Sequence, residues 1–220
     1  ELGQLYVHFE KEAEAREAFD EALRRLEPKR GSVIALANAF IKLNELDRAL
    51  EVYTKGMELG VNDLDYQLAD LEGRRGNYEG MIDASLSLMR AKPQYFRNVQ
   101  NSFNRNLRIQ DNPDLGDLLR TKLLRAAREY PEDTALSEML VWYFNQVNDF
   151  GNAFVHAKSL DLRFQESGER LIELAQTATR NEDYATAAQC YAYIASKGPE
   201  NAYFFTARTL SLIHISEPTR

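Results

Sequence analysis

Apolar positions along this chain recur at the spacing of an amphipathic α-helix, and short polar breaks separate one apolar stretch from the next. Leu36, Phe40, Ala49 and Tyr53 illustrate the pattern, with charged residues at many positions between them. A single pair of such helices is too small to bury its own apolar stripe, so neighbouring pairs must stack to cover it. The pattern therefore predicts an all-α fold built from stacked helix hairpins.

Three polar–aromatic breaks reveal the period of this pattern. They are Asn77-Tyr78, Asp149-Phe150 and Asp183-Tyr184, and each precedes an apolar helix that contains small residues. Pro93 and Pro199 follow the aromatic residues of the first and third breaks by 15 positions. Proline ends a helix because it lacks an N–H and clashes with the preceding turn. Aligning these signals predicts an internal repeat of about 34 residues.

The residues that recur at this period resemble those of tetratricopeptide repeats. The first unit has Leu2-Gly3 and Tyr6 in helix A, then Ala15, Phe19 and Ala22 in helix B. Later units follow the same order of large, small and aromatic positions, with Leu36-Ala37, Phe40, Ala49, Tyr53, Gly56, Leu68-Ala69, Tyr78, Leu140-Val141, Phe144, Phe150, Ala153, Ala157, Leu174-Ala175, Tyr184, Ala187 and Tyr191. The resemblance implies a right-handed superhelical solenoid whose A helices line a concave groove.

The resemblance also sets the expected repeat boundaries, and two units depart from the family pattern. The repeats are expected at 1–29, 30–61, 62–94, 95–133, 134–167 and 168–201, with another opening at 202–209. In the third repeat Met81 stands where a small residue is expected. The fourth has the long turn Asp111-Asn112-Pro113-Asp114 and is about four residues longer than the family period. We interpret this unit as a degenerate repeat.

The two ends of the chain suggest that it is part of a longer protein. Residues 210–220 resemble the translation of a sequencing-library adapter, so we expect a non-native tail there. The chain begins at Glu1 rather than at methionine. We expect residues 1–209 to be a fragment, and the intronless reading frame favours a bacterial source. The sequence leaves localisation open between the cytoplasm and the bacterial periplasm.

Composition excludes several classes of protein. The chain has 220 residues, of which 44% are hydrophobic, and this argues against disorder. Its single cysteine, Cys190, cannot form an intrachain disulfide. The net charge of −7 opposes nucleic-acid binding as the main activity. The longest uncharged apolar stretch, 184–196, is shorter than the ~20 residues of a membrane-spanning helix.

The chemistry-bearing residues do not form a recognisable catalytic or metal site. His8 and His156 lie in separate repeats, without cysteine or histidine at zinc-ligand spacing. The Gly73–Tyr78 segment is glycine-rich, but we interpret it as the turn between two helices rather than a phosphate-binding loop. We therefore predict that the chain is not an enzyme and carries neither a cofactor nor a metal.

The resemblance places polar side chains of the A helices on the concave groove. The expected peptide-binding residues are Asn38, Lys42, Arg74, Asn101, Asn104, Arg105, Arg108, Glu138, Trp142, Asn145 and Arg180, and the same alignment adds Gln67, Asp70, Gln146, Glu173 and Gln176. Asn101, Asn104, Arg105 and Arg108 have helical spacing and are expected to share one polar face. The alternatives are a solvated face for this Asn/Arg group and a core position for Trp142.

These observations favour a non-enzymatic scaffold that binds a protein or peptide segment in its groove. This inference rests on the resemblance rather than on site chemistry. The alternative is a regulatory or targeting arm of a larger enzyme or signalling protein whose catalytic domain lies outside this chain. RNA binding by a helical-hairpin solenoid is a third interpretation, supported only by Arg97, Arg105 and Arg108.

Overall fold

The described chain is helical, without a β-strand in residues 2–216. A computed structural model describes the backbone of those residues, and the side chains at 3, 5, 6 and 8–210. The helices are α1 (Leu2–His8), α2 (Glu12–Arg24), α3 (Arg30–Lys42), α4 (Leu46–Glu58), α5 (Asp65–Arg74), α6 (Tyr78–Ala91), α7 (Phe96–Leu107), α8 (Pro113–Glu129), α9 (Thr134–Gln146), α10 (Phe150–Phe164), α11 (Glu169–Arg180), α12 (Tyr184–Ser196) and α13 (Phe204–Ser216). A 3₁₀ turn covers Pro93–Tyr95. The predicted all-α class is confirmed.

The helices belong to two compact units, and consecutive helices pack as neighbours. One unit comprises Glu1–Leu88 with Arg97–Asn106, and the other comprises Met89–Phe96 with Leu107–Arg220. Within the units α1 packs on α2, α3 on α4, α9 on α10 and α11 on α12. This arrangement is compatible with a helical repeat. The repeat boundaries and the handedness of a superhelix stay predictions.

The same backbone turn connects five pairs of consecutive helices, namely α1–α2, α3–α4, α5–α6, α9–α10 and α11–α12. Each connection is three residues long and has a left-handed residue in the middle, at Glu10, Asn44, Gly76, Asn148 and Glu182. The residue after it donates its N–H to a carbonyl five residues earlier, as from Glu45 to Phe40 and from Asp149 to Phe144, both at 2.9 Å. These hydrogen bonds satisfy carbonyls at the end of the first helix. The recurring turn is the clearest sign of repetition in the backbone.

The predicted polar–aromatic breaks begin helices, as expected. The side chains of Asn77, Asp149 and Asp183 accept the backbone N–H three residues further on, at 3.1, 3.2 and 2.9 Å respectively. Such caps pair an N–H that has no partner within the helix, which is worth about 1 kcal/mol. Helices α6, α10 and α12 accordingly start at the next residue, an aromatic one in each case.

Small and aromatic residues alternate in the core, as the sequence predicts. Ala49, Ala153 and Ala187 are fully buried, and Tyr53 and Tyr191 are almost so. In a helical core, small side chains allow helices to approach closely and aromatic rings fill the larger spaces.

The last residues of the chain are only partly described by the structure. Residues 217–220, and the side chains of 211–216, lie outside the described part of the chain, so the adapter resemblance stays a prediction. Helix α13 continues from Phe204 to Ser216.

In the described residues, none of the helices combines the length and apolarity that crossing a bilayer requires.

Candidate functional site

The residues expected to line the groove lie mainly on the odd-numbered helices. Asn38 and Lys42 are on α3, Arg74 is on α5, Asn101, Asn104 and Arg105 are on α7, Glu138, Trp142 and Asn145 are on α9, and Arg180 is on α11. Most of them are exposed, whereas Glu138, Trp142 and Asn145 are half-buried. Within the first unit the structure brings two of them, Arg74 and Arg105, onto a single carboxylate.

Asp70 is the centre of a polar cluster between α5 and α7. Its carboxylate accepts hydrogen bonds from Arg74 Nε at 2.9 Å, Ser102 Oγ at 2.6 Å and Asn106 Nδ2 at 2.9 Å, and it also pairs with Arg105. Asn106 Nδ2 lies 3.1 Å from Ser102 Oγ as well. The Asp70 side chain is only 13% exposed. We call these five residues the Asp70 cluster.

The electrostatics of the Asp70 cluster keep its carboxylate ionised. Burial alone raises the pKa of Asp70, but hydrogen bonds from Ser102, Arg74 and Arg105 outweigh it, so the pKa lies below its usual value. For Arg105 burial lowers the pKa, and hydrogen bonds with Tyr66 and Asp70 more than offset this effect. The cluster therefore carries two guanidinium charges and one carboxylate charge at neutral pH.

The sequence analysis did not predict two members of the Asp70 cluster, Ser102 and Asn106. Asp70 and Arg74 are four residues apart on one helix, so their pairing has a sequence signal. Ser102 and Asn106 lie 32 and 36 residues from Asp70 and carry none by themselves. Only the packing of α7 near α5 brings them to the carboxylate.

Helix α7 ends before the last of the four residues expected to share a polar face. Asn101, Asn104 and Arg105 are exposed, and the face opposite them is buried. Arg108 is also exposed, but α7 ends at Leu107 and Arg108 has a left-handed backbone with φ of 46°. Its guanidinium pairs with Asp111 at 3.0 Å.

The second unit has its own polar contacts around α9. Glu138 pairs with Arg170 of α11 at 2.8 Å, and the same arginine bonds to Glu166 at 2.9 Å. The amide oxygen Oδ1 of Asn145 is buried without a hydrogen bond from the described residues. Trp142 is half-buried, so neither a fully exposed anchor nor a fully buried core residue describes it. On α11, Arg180 is exposed and donates to Thr177 Oγ1 at 3.1 Å.

Cys190 is buried, whereas His156 is half-buried. Burial raises the pKa of the Cys190 thiol to about 12, so the sulfur is protonated at neutral pH. Burial lowers the pKa of His156, whose ring stacks on Phe144 at a centroid distance of 5.5 Å. In the part of the chain that the structure describes, no three His, Cys, Asp or Glu side chains come together in a group that could hold a metal ion.

The comparisons with known proteins add no family assignment to this picture. No protein-family model matches the chain, and no curated protein sequence matches it.

Proposed function

We propose that this chain is a non-enzymatic interaction scaffold of the tetratricopeptide-like type, which binds an extended peptide segment across its A helices. The observation that carries the proposal is the convergence of Arg74 and Arg105, from two successive A helices, on Asp70. These arginines lie on the face that the family resemblance assigns to the groove. The recurring helix–helix turn and the alternation of small and aromatic core residues support the repeat architecture.

The Asp70 cluster is suited to binding because its arginines are held in place without being fully neutralised. Each guanidinium group has five N–H donors, and one from each bonds to Asp70. The side chains of Arg74 and Arg105 remain 31% and 43% exposed. Fixing a side chain before binding reduces the entropy that a ligand must overcome. The cluster therefore offers oriented donors to carbonyl or carboxylate oxygens of a bound segment.

Neighbouring amides extend this surface along α7. Asn101 and Asn104 are exposed on the same side as Arg105. An asparagine amide both donates and accepts, which matches the alternating N–H and C=O groups of an extended peptide. A peptide lying across α5 and α7 would meet arginine donors first and asparagine amides next.

The experiment uses the purified chain and a displayed library of random dodecapeptides. The affinities of selected peptides are then measured by fluorescence anisotropy for the parent and for the double variant Arg74→Gln/Arg105→Gln. Losing one charge-assisted hydrogen bond costs about 1.5 kcal/mol, so we expect binding to weaken about tenfold or more. Circular dichroism should show unchanged helicity.

A matched control separates this surface from general charge effects. The double variant Arg125→Gln/Arg128→Gln removes the same charge from exposed positions of α8. We expect it to bind the selected peptides with the affinity of the parent. Equal affinity in all three proteins, or a failure to select any peptide, would reject the proposed binding surface.

A further inference from the structure

The connection between α7 and α8 is longer than the recurring three-residue turn. It has five residues, 108–112. Arg108 begins it in the left-handed conformation. The side chain of Asn112 then donates Nδ2 to the carbonyls of Leu107 and Arg108, at 3.2 and 3.3 Å. The longer connection is thus held in a defined shape by its own hydrogen bonds.

A cleft of about 450 Å³ lies beside this connection, within the second unit. Its walls come from the 109–113 segment, the first turns of α8, the end of α9 and the turn 146–149. Tyr143, only 4% exposed, lines the cleft. Gly116 faces the hydroxyl, because a Cβ built on this glycine would lie 3.7 Å from the Tyr143 oxygen. Among the described residues none hydrogen-bonds to that oxygen.

The cleft is lined by more negatively than positively charged side chains. Asp117 and Asp149 contribute two carboxylates, and Arg120 contributes one guanidinium group. Asp149 Oδ2 already accepts from Asn152 Nδ2 at 2.7 Å. Asp117 is exposed, and no residue in the described part of the chain forms an ion pair with it. Burial raises the pKa of Tyr143, and the charge of Asp117 raises it further, so the hydroxyl is neutral and its oxygen can accept a hydrogen bond.

We infer that this cleft binds the ammonium or guanidinium group of a basic side chain presented by a partner chain. Asp117 supplies the opposite charge, and the Tyr143 oxygen supplies a second acceptor. The apolar wall of Ile109, Pro113 and Val147 suits the methylene stem of lysine or arginine, which packs on apolar surface while its charged end is solvated or paired. The net negative lining favours a cation over a carboxylate.

The inference extends the proposed scaffold function by naming one chemical feature of its partner, and it rests on that function for the source of the side chain. The cleft and the Asp70 cluster lie in different units. They are therefore tested by different variants. Failure of peptide capture at Arg74 and Arg105 leaves the cation site to be judged by its own measurement.

The test is a titration of the ¹⁵N-labelled full chain with N-acetyl-lysine methylamide and N-acetyl-arginine methylamide, followed by NMR. N-acetyl-norleucine methylamide serves as the uncharged probe of similar size. We expect one or both basic probes to shift the backbone amides of 109–120 and 143–149. The norleucine probe should leave these amides in place.

Three variants determine whether the shifts report this cleft. Asp117→Asn should weaken binding about threefold, the range of a partly exposed charge pair, whereas Arg120→Gln should strengthen it because it removes the competing positive charge. Asp114→Asn changes the same net charge on the same helix outside the lining, and should leave the affinity unchanged. Equal effects at Asp114 and Asp117, tight norleucine binding, or no binding of either basic probe would overturn the inference.

Discussion

Gly73 and Met81 fill one space between α5 and α6. A Cβ built on Gly73 would lie 2.2 Å from Met81 Sδ and 3.0 Å from Asn106 Cγ. Met81 is fully buried four residues after Asn77, at the place where α10 and α12 have the buried Ala153 and Ala187 after their own capping residues. The absence of a side chain on Gly73 of α5 therefore makes room for the large side chain of Met81 on α6.

This packing predicts that Gly73→Ala destabilises the fold although alanine is the better helix former. The added methyl group must displace Met81 or Asn106, and overpacking costs about 1–3 kcal/mol, against about 1 kcal/mol gained in helix propensity. Urea unfolding followed by circular dichroism measures the difference. Gly151→Ala is the control, because nothing lies within 4 Å of its Cβ, and it should be neutral or stabilising. Met81→Ala should offset part of the loss in a double variant.

Acid conditions should remove the stabilisation that Asp70 provides. Its pKa is lower in the folded state, so its contribution is complete above the unfolded pKa of about 3.9 and disappears as the pH falls through the folded value. At pH 7 we expect Asp70→Asn to lower the free energy of unfolding by about 1.5–3 kcal/mol. The difference between variant and parent should shrink below pH 4. Urea titrations at pH 7 and pH 3 check this, and a difference that is constant with pH would contradict it.

The buried alanines predict a second overpacking defect. Ala187 is completely buried in α12, and we expect Ala187→Leu to cost about 1–3 kcal/mol. Ala185, on the same helix, is exposed and provides the control. Ala185→Leu should stay within about 0.5 kcal/mol of the parent. Thermal unfolding of the two variants makes the comparison, and equal midpoints would show that the assigned packing position is wrong.

Substitutions that remove the partners of Asp161 are expected to cause the largest loss of stability among those proposed for the second unit. Its side chain is fully buried in α10, accepts a hydrogen bond from Tyr193 Oη at 2.7 Å and pairs with Lys197. Removing one partner of a buried pair leaves a charge uncompensated, so Lys197→Met should cost about 3–5 kcal/mol. Tyr193→Phe should cost about 1–3 kcal/mol by removing one donor. Chemical denaturation tests both, with Lys158→Met as a control lysine beside the same tyrosine ring.

The sequence predicted the helices well because their signals are local. Asn77, Asp149 and Asp183 mark helix starts through caps that reach only three residues along the chain. The site was harder, since the bond between Ser102 and Asp70 spans 32 residues and depends on how hairpins stack. The end of α7 at Leu107 was also not predicted, because residue spacing does not show where a helix ends.

Two of the recurring turns contain a glutamate whose left-handed backbone lowers the stability of the fold. A left-handed backbone costs a residue with a Cβ about 1–2 kcal/mol, and less for asparagine. Glu10 and Glu182 adopt this conformation in their turns, whereas Gly76 adopts it in the equivalent turn without strain. Glu182→Gly should therefore raise the melting temperature, which differential scanning calorimetry measures. Glu10 and Glu182 lie outside both proposed binding sites, so the backbone strain at these two turns can be removed without altering a residue of either site. At these turns, stability can therefore be changed separately from recognition.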